Sequence, residues 1–226
     1  MRLGLLGGSF NPIHRCHLSI AQSAQRLLQI DRILFIPTGD PPHKQPNTLA
    51  AAQHRYRMVE LAIQDVPGLA LTDMEIRRPG KSYSIDTVNA IQKAYGPATT
   101  LFFIIGLDAF VDLPTWKDAD ILLTRCRFVV FSRPSESFRA LAAIPFFHFI
   151  RQEHLAALDA AQQERTVEVL AQGQPLTLLR LPPCDVSASD IRRRVREGQP
   201  LANLLPAPVE SYILRERLYR EDSERL

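Results

Sequence analysis

Short apolar runs alternate along this chain with longer segments in which apolar residues recur every three or four positions. Apolar runs next to glycine or proline are typical of buried strands, and the longer spacing is typical of helices that bury one face. The regular alternation of the two predicts a parallel sheet flanked by helices. In chain order, the predicted strands cover residues 3–6, 32–36, 69–72, 101–105, 128–131 and 176–181.

The segments between these strands predict the helices. Ser84 is a typical N-cap, and the helix that follows it should stop at Gly96, which precedes a proline. A further helix should begin near Ser189, and residues 134–174 are predicted to be mostly helical, as packing or an accessory flap. Apolar residues recur at helical spacing in the first helix, at Leu18, Ala21, Ala24 and Leu28. In the second helix, one face is lined by Tyr56, Val59, Ile63 and Val66, and in the helix after Ser84 the buried side carries Ile85, Val88 and Ile91.

Together these elements predict an α/β protein with a Rossmann-like open parallel sheet of about five to six strands and helices on both faces. A small helical region should follow over about residues 185–226. A chain of 226 residues can bury one core, and we expect a single domain spanning residues 1–226. In open sheets of this kind, ligands bind at the carboxyl ends of strands, so residues there are the first candidates for a site.

Composition narrows the class of protein only slightly. A net charge of +3 gives no case for nucleic-acid binding. The three cysteines are odd in number and widely spaced, which suits a reducing compartment. The opening apolar run breaks at Gly7 and Gly8, and no stretch approaches the length of a membrane span. We therefore expect a cytoplasmic protein with neither a membrane nor a nucleic-acid partner, and its oligomeric state is not predicted.

The most informative segment follows the first strand, where residues 7–18 read Gly-Gly-Ser-Phe-Asn-Pro-Ile-His-Arg-Cys-His-Leu. The paired glycines let backbone approach a ligand without interference from a Cβ atom, and Pro12 stiffens the turn. His14 and His17 share a face at the start of a predicted helix, where N–H groups and the helix dipole favour anions. This favours a phosphate site, although two spaced histidines alone also fit a surface pair or half of a metal site.

This segment resembles the G-x-F-x-P-x-H-x-G-H signature of the nucleotidylyltransferase superfamily, whose members join a nucleoside triphosphate to a phosphate-bearing acceptor and release pyrophosphate. Cys16 departs from the signature, because it stands where the superfamily has glycine. One hypothesis is that the helix N-terminus favours the Cys16 thiolate and makes it more reactive than Cys126 or Cys184. The alternative is a small residue that simply fits where glycine also would.

A second motif, Ser187-Ala188-Ser189-Asp190-Ile191-Arg192, resembles the I-S-S-T-x-I-R motif of the same superfamily. Hydroxyl groups near a helix start and an arginine one turn later would all face a phosphate placed at that helix end. Ala188 replaces one serine, which removes one hydroxyl contact. The three arginines that follow, Arg193, Arg194 and Arg196, fit a solvated basic face better than a site.

Four further segments are similar to bacterial nicotinate-nucleotide adenylyltransferases: residues 36–44, 78–87, 104–108 together with Trp116, and 204–209. The likeness runs from Met1 to about Tyr219 and is weakest across residues 134–174. It implies that the adenylyl group of ATP is transferred to nicotinate mononucleotide, giving nicotinate adenine dinucleotide and pyrophosphate in NAD synthesis. It also implies that Mg2+ accompanies the triphosphate, without metal ligands from the protein.

The resemblance implies roles for particular residues as well. His14, His17 and Arg192 would be catalytic. The residues implied to bind ATP are Gly7, Gly8, Ser9, Phe10, His17, Gly106, Ser187, Ser189 and Arg192. The residues implied to bind the nicotinate nucleotide are Thr38, Lys44, Tyr83, Ser84, Asp108 and Trp116.

The chemistry of the acceptor supports part of this assignment independently. A nicotinate ring is flat and carries a carboxylate, so its site needs an aromatic face and backbone N–H donors. Trp116, the only tryptophan, is a candidate for the face, although a lone tryptophan is more often core filler. Asp108 is a candidate to accept hydrogen bonds from ribose hydroxyls, and a cap for the next helix is the equal alternative.

Three rival functions are compared with this one, and one of them, the oxidoreductase, fails on its motif. Another transferase of the superfamily would act on phosphopantetheine or use CTP. A dinucleotide-binding oxidoreductase is disfavoured because Gly4, Gly7 and Gly8 do not spell G-x-G-x-x-G. A nucleotide sensor without activity is suggested only by Cys16 and Ala188.

Overall fold

The computed structural model describes residues 1–40, 49–133, 136–169, 174–181 and 184–220. In chain order its elements are β1 (Arg2–Gly8), α1 (Arg15–Leu28), β2 (Arg32–Pro37), α2 (Ala52–Ile63), β3 (Leu69–Leu71), α3 (Met74–Arg77), α4 (Ser84–Tyr95), β4 (Thr100–Gly106), α5 (Leu107–Val111), α6 (Ala119–Arg125), β5 (Arg127–Ser132), α7 (Gln152–Asp159), β6 (Arg165–Val169), β7 (Pro175–Arg180), α8 (Ala188–Arg196) and α9 (Ala207–Arg215).

The chain divides into two compact units that alternate along the sequence. The first unit comprises Met1–Leu6, Ser23–Arg32 and Tyr83–Cys184, and the second comprises Gly7–Gln22, Ile33–Ser82 and Asp185–Leu226. The single domain stays a prediction. None of the described helices is long and apolar enough to cross a membrane.

The first unit is built on parallel strands that pair side by side. Leu3 of β1 lies opposite Leu101 of β4, and β4 pairs in parallel with β5, which pairs in parallel with β7. Phe128 at the start of β5 is 1 % exposed and contacts Phe110 of α5, whose ring stacks on Phe147 with centroids 4.6 Å apart. These strands are formed by the apolar runs of the sequence. Continuous apolar runs are expected in parallel strands, because such strands are buried on both faces.

The second unit contains the parallel pair β2 and β3, with Ile33 opposite Leu69. Its helix α2 packs against α9, and there Nδ1 of His54 lies 2.8 Å from the hydroxyl of Tyr212. Parallel pairing in both units, with helices between successive strands, confirms the predicted Rossmann-like α/β class.

Seven strands are described, where about five to six were expected. The additional strand is β6, which pairs antiparallel with β7 and lies in the segment predicted to be mostly helical. That prediction was wrong for β6 because the strand alternates buried Thr166 with exposed Val167 and carries too few apolar residues to stand out. The same segment also holds α7 and two short 3-10 helices, Phe138–Ala143 and Pro145–Phe147.

Two local predictions about helices need correction. Ser84 is the first residue of α4 rather than its N-cap, since Tyr83 occupies the cap position without a side-chain capping bond. In α2 the buried face includes Arg55 rather than Tyr56, and the helix ends before Val66. The remaining α4 predictions are confirmed, because Ile85, Val88 and Ile91 are buried and Gly96 ends the helix with φ +84°.

Candidate active site

His14 and His17 lie side by side at the start of α1. His14 is 7 % exposed and directly precedes the helix, and His17 lies in its first turn. The centroids of the two rings are 3.9 Å apart, with the ring planes tilted by 40°. The structure therefore brings together the two histidines of the first motif, as their spacing predicts.

A backbone contact fixes the proton on the His17 ring. The N–H of His14 donates to Nδ1 of His17 at 3.2 Å, so Nδ1 acts as an acceptor and carries no proton. In the neutral ring the proton then lies on Nε2, which makes Nε2 a hydrogen-bond donor. Phe10 also packs edge-to-face on the His17 ring, with centroids 5.1 Å apart. Both contacts fix the orientation of the His17 ring.

In the loop before α1, the two glycines, Gly7 and Gly8, have different surroundings. Phe10 has φ +44°, uncommon for a residue with a side chain, and its ring is buried. A Cβ atom on Gly8 would lie 3.2 Å from that ring, whereas a Cβ on Gly7 would meet no heavy atom of the described residues within 4 Å. Gly8 therefore makes room for Phe10, and Gly7 borders open space that leaves backbone accessible. Thr38 lies next to this loop, because its N–H donates to the Gly8 carbonyl at 2.9 Å.

Arg192 joins the two motifs of the sequence. Its Nη1 donates to the backbone oxygen of Asn11 at 2.7 Å, although the two residues are 181 positions apart. Its Nη2 lies 3.3 Å from Oγ of Ser189. Residues of both motifs are thus bonded to one guanidinium group, which is the arrangement expected if both face one polyphosphate.

The N-terminus of α8 is capped, and two of its other arginines, Arg193 and Arg194, are paired. Oγ of Ser187 accepts from the N–H of Asp190 at 3.1 Å, a typical N-cap bond. Arg194 and Arg193 both donate to the Asp190 carboxylate, and these bonds hold the pKa of Asp190 below its usual value. These pairs agree with the solvated basic face expected there, whereas Arg192 bonds to the other motif.

Arg55, which hydrophobic spacing did not single out, contacts the glycine loop of the candidate site. It is 2 % exposed, and it donates to three backbone carbonyls: Ser9 and Ala50, both at 2.9 Å, and Gly39 at 3.4 Å. Burial lowers the pKa of its guanidinium from the usual value. The spacing to the buried Met58 could have revealed its position, since the two residues share one helix face.

The candidate acceptor residues Tyr83 and Ser84 lie at the start of α4, in the first unit. The ammonium group of Lys117 lies 4.8 Å from the centre of the Tyr83 ring and 3.3 Å from a carboxylate oxygen of Asp86. The Lys117 side chain therefore contacts two residues at the N-terminus of α4. Backbone N–H groups in the first turn of a helix have no helical partner and favour an anion. Just before this turn, the buried hydroxyl of Ser82 has no hydrogen-bond partner among the described residues.

Trp116, Asp108 and Gly106 are also described in the first unit. Trp116 is half-buried, and its ring meets the edge of Phe103 with centroids 6.2 Å apart, so it is not simply core filler. The Asp108 carboxylate is exposed, accepts from the adjacent N–H and lies 3.7 Å from Arg133. It lies inside the first turn of α5 and so does not act as that helix's cap. A Cβ on Gly106 would come within 2.5 Å of this carboxylate, so glycine makes room for it.

The expectation of a reactive thiol at Cys16 is wrong in this structure. Cys16 and Cys184 are both disulfide-bonded, and Cys126 is free and buried. Burial raises the pKa of the Cys126 thiol. Spacing along the chain could not reveal the bonded state, because disulfide formation depends on distances in the fold. The cysteine pattern by itself therefore no longer argues for a reducing compartment.

Two further observations bear on ligands. Within the described ranges, no group of three or more His, Cys, Asp or Glu residues could hold a metal ion. Lys44, implied to bind the acceptor, lies outside the described residues.

Comparison with known proteins gives consistent matches. The family model "Cytidylyltransferase-like" matches residues 5–194. A protein of Geotalea uraniireducens named "Probable nicotinate-nucleotide adenylyltransferase" is 38 % identical, with 98 % of this chain and 99 % of the relative covered. A protein of the same name from Thermoanaerobacter sp. is 36 % identical, with 99 % and 97 % covered.

Solved structures give the same fold at lower sequence identity. A structure of Plasmodium falciparum nicotinic acid mononucleotide adenylyltransferase complexed with NaAD is similar with a TM-score of 0.70 and 18 % identity, covering 96 % of this chain and 97 % of that chain. This likeness confirms the fold, and the family is shown by the full-length sequence matches. The chain belongs to the nicotinate-nucleotide adenylyltransferase family, within the cytidylyltransferase-like group of proteins.

Proposed function

We infer that this chain is a nicotinate-nucleotide adenylyltransferase, which transfers the adenylyl group of ATP to nicotinate mononucleotide and releases pyrophosphate, forming nicotinate adenine dinucleotide in NAD synthesis. Relatives with that name match it over nearly their full length. The observation that carries the assignment to particular residues is the hydrogen bond from Arg192 to Asn11, which joins the histidine motif to the serine-arginine motif.

The reaction needs alignment and charge stabilisation more than acid–base chemistry. A phosphate oxygen of the acceptor attacks the α-phosphorus of ATP in line, a new P–O bond forms, and the bond to pyrophosphate breaks. The attacking phosphate is already an anion at neutral pH, so no general base and no enzyme nucleophile are required. Catalysis then depends on holding the two phosphates in line and on neutralising charge that develops on the transferred group and the leaving oxygens.

His17 is the residue best arranged to stabilise that charge. Its Nδ1 accepts from the His14 N–H, so its Nε2–H is directed as a donor to the α-phosphate. The backbone of Gly7, Gly8 and Ser9 adds N–H groups beside the open space next to Gly7. His14, whose ring lies against that of His17, is assigned the position between the reacting groups.

The leaving pyrophosphate is assigned to the second motif. Ser187 caps α8, and Ser189 and Arg192 lie in its first turns. The helix N-terminus and the guanidinium group together suit the β- and γ-phosphates. Mg2+ would arrive with ATP, since this ion usually keeps waters and substrate phosphates as ligands, and when bound it would neutralise phosphate charge.

The acceptor is assigned to the residues around α4 and α5. Backbone N–H groups at Tyr83 and Ser84 would bind the nicotinate carboxylate, and the half-buried Trp116 would offer a face to the ring. The exposed Asp108 would accept from ribose hydroxyls. The cytoplasmic location expected from the sequence fits a reaction that consumes ATP.

The deciding experiment is a pyrophosphate-release assay with purified protein and MgATP. Nicotinate mononucleotide should support turnover, and nicotinamide mononucleotide should give a kcat/KM at least about tenfold lower, because the amide loses about one charge-assisted hydrogen bond. Equal efficiency with both acceptors would contradict the assignment of the α4 N-terminus.

The same assay separates the rival functions. Phosphopantetheine as acceptor and CTP in place of ATP test another transferase of the superfamily. Release of pyrophosphate with none of these combinations would favour a nucleotide sensor and would refute the proposed function.

A further inference from the structure

We propose that Tyr219 is a positioning residue for the triphosphate site, because its hydroxyl orients Asn11 and Asn11 in turn holds Arg192. The proposal rests on the proposed function, in which Arg192 binds the β- and γ-phosphates. All three residues belong to the second unit.

Asn11 is the junction of this arrangement. It is 3 % exposed, and its side-chain oxygen accepts from the Tyr219 hydroxyl at 2.9 Å and from the Ala50 N–H at 3.0 Å. Its backbone oxygen accepts from Nη1 of Arg192 at 2.7 Å. A side-chain amide oxygen has two lone pairs, and both are used here. The position of Asn11 is therefore set by its neighbours, and one of them comes from the C-terminal segment.

Tyr219 is suited to this role because, in its bond with the side-chain oxygen of Asn11, its hydroxyl can act only as the donor. Burial raises the pKa of its phenol above the usual value, although the positive charges of Arg192 and Arg55 oppose that shift. The hydroxyl therefore stays protonated at neutral pH, and a side-chain carbonyl oxygen cannot donate in return. Tyr219 follows α9 and has φ +64°, so the chain turns sharply where it places this hydroxyl.

Arg55 also donates hydrogen bonds at this loop. It donates to the carbonyl of Ala50, whose N–H is bound by Asn11, and to the carbonyl of Ser9, two residues before Asn11. The loop that carries the proposed phosphate contacts is thus fixed at Ser9 by Arg55 and at Asn11 by Tyr219. Loss of the Tyr219 hydroxyl would remove only the second of these contacts.

Loss of the Tyr219 hydroxyl would change the position of Arg192 through Asn11. One guanidinium nitrogen is bonded to the Asn11 carbonyl and another lies near Ser189, so the plane of the group follows the position of Asn11. A shift of Asn11 would turn the Arg192 guanidinium away from the β- and γ-phosphates of ATP, which Arg192 is proposed to bind. The expected consequence is weaker binding of ATP, with little effect on the nicotinate nucleotide.

Tyr219→Phe tests the proposal, with Tyr212→Phe as the matched control. Each substitution removes one phenolic hydroxyl from the C-terminal segment, but the Tyr212 hydroxyl contacts His54 of α2 rather than the loop. Tyr219→Phe should raise the KM for ATP about 3- to 10-fold and leave the KM for nicotinate mononucleotide within about twofold, as expected for one lost hydrogen bond. Tyr212→Phe should change neither KM by more than about twofold.

A double-mutant cycle supplies the second measurement. Asn11→Ala removes the acceptor of the Tyr219 bond, so adding Tyr219→Phe to Asn11→Ala should raise the KM for ATP no further. An unchanged KM for ATP in folded Tyr219→Phe, an equal rise in both KM values, or additive effects in the cycle would overturn the proposal. If the unsubstituted protein releases no pyrophosphate, the proposed function fails, and calorimetric titration with ATP alone still decides whether Tyr219→Phe weakens nucleotide binding.

Discussion

Replacing His17 by alanine tests the proposed charge stabilisation most directly. The substitution removes the N–H donor at Nε2. The bond from the His14 N–H to Nδ1 favours the neutral tautomer whose proton is on Nε2. Loss of one preorganised donor at a developing charge lowers turnover by about 10²–10³-fold, or about 3–4 kcal/mol of transition-state stabilisation. We therefore expect kcat of His17→Ala to fall by at least about a hundredfold.

The same substitution also has a structural cost, which the contacts of the ring define. The His14 N–H loses its acceptor, and ring contacts to His14 and Phe10 at centroid distances of 3.9 and 5.1 Å are lost. An unsatisfied, partly buried N–H costs about 1–3 kcal/mol of unfolding free energy. A domain with a typical stability of about 5–15 kcal/mol would stay folded after that loss.

The assay should separate these two effects. Pyrophosphate release is measured with both substrates saturating, and the free energy of unfolding is measured by urea denaturation followed by circular dichroism. His54→Ala is the matched control, because it also removes a histidine ring that is hydrogen-bonded within the second unit, to Tyr212. It should lower stability by a similar amount and leave kcat within about twofold. A folded His17→Ala protein with kcat within about tenfold of the unsubstituted enzyme would refute the role of His17.

Two further predictions follow from Arg192 and the cysteines. In steady-state kinetics, Arg192→Ala should raise the KM for ATP at least about tenfold and leave the KM for the mononucleotide within about twofold. The reverse pattern would mean that the binding sites of the two substrates are assigned the wrong way round. Cys16 should resist alkylation by iodoacetamide until a dithiol reductant is added, and the buried Cys126 should resist it until the protein unfolds, as read by peptide mass spectrometry. Modification of Cys16 without reductant would show that its thiol is free in solution.

Much of the fold could be predicted from hydrophobic spacing, because strands such as β4 and β5 carry continuous apolar runs between their end residues. Residues 101–105 and 128–131 lie within β4 and β5, whose apolar side chains are buried. β6 could not be found in this way, since its sequence is mixed in polarity and its pairing depends on β7, which comes later in the chain. Hydrophobic character also failed to indicate Arg55, because a charged residue occupies this buried helix position, and only its spacing to Met58 pointed there.

The site was predictable only where its residues are neighbours in sequence. His14 and His17 are brought together by the geometry of one helix turn, which spacing alone determines. The contacts of Asn11 with Arg192 and Tyr219 join distant segments and depend on the whole fold of the second unit. The disulfide-bonded state of Cys16 could not be read from its sequence neighbours either, and it replaces the reactive thiol that the local sequence suggested.

The arginines of the second unit differ in the groups to which they are bonded. Arg193 and Arg194 are bonded to the Asp190 carboxylate, which neutralises part of their charge. Arg192 bonds instead to the backbone carbonyl of Asn11, and Arg55 bonds to three carbonyls. A carbonyl orients a guanidinium group without cancelling its net charge, because it contributes only a dipole. Arg192 therefore combines a fixed orientation with an undiminished charge, the two properties that binding of the leaving pyrophosphate requires.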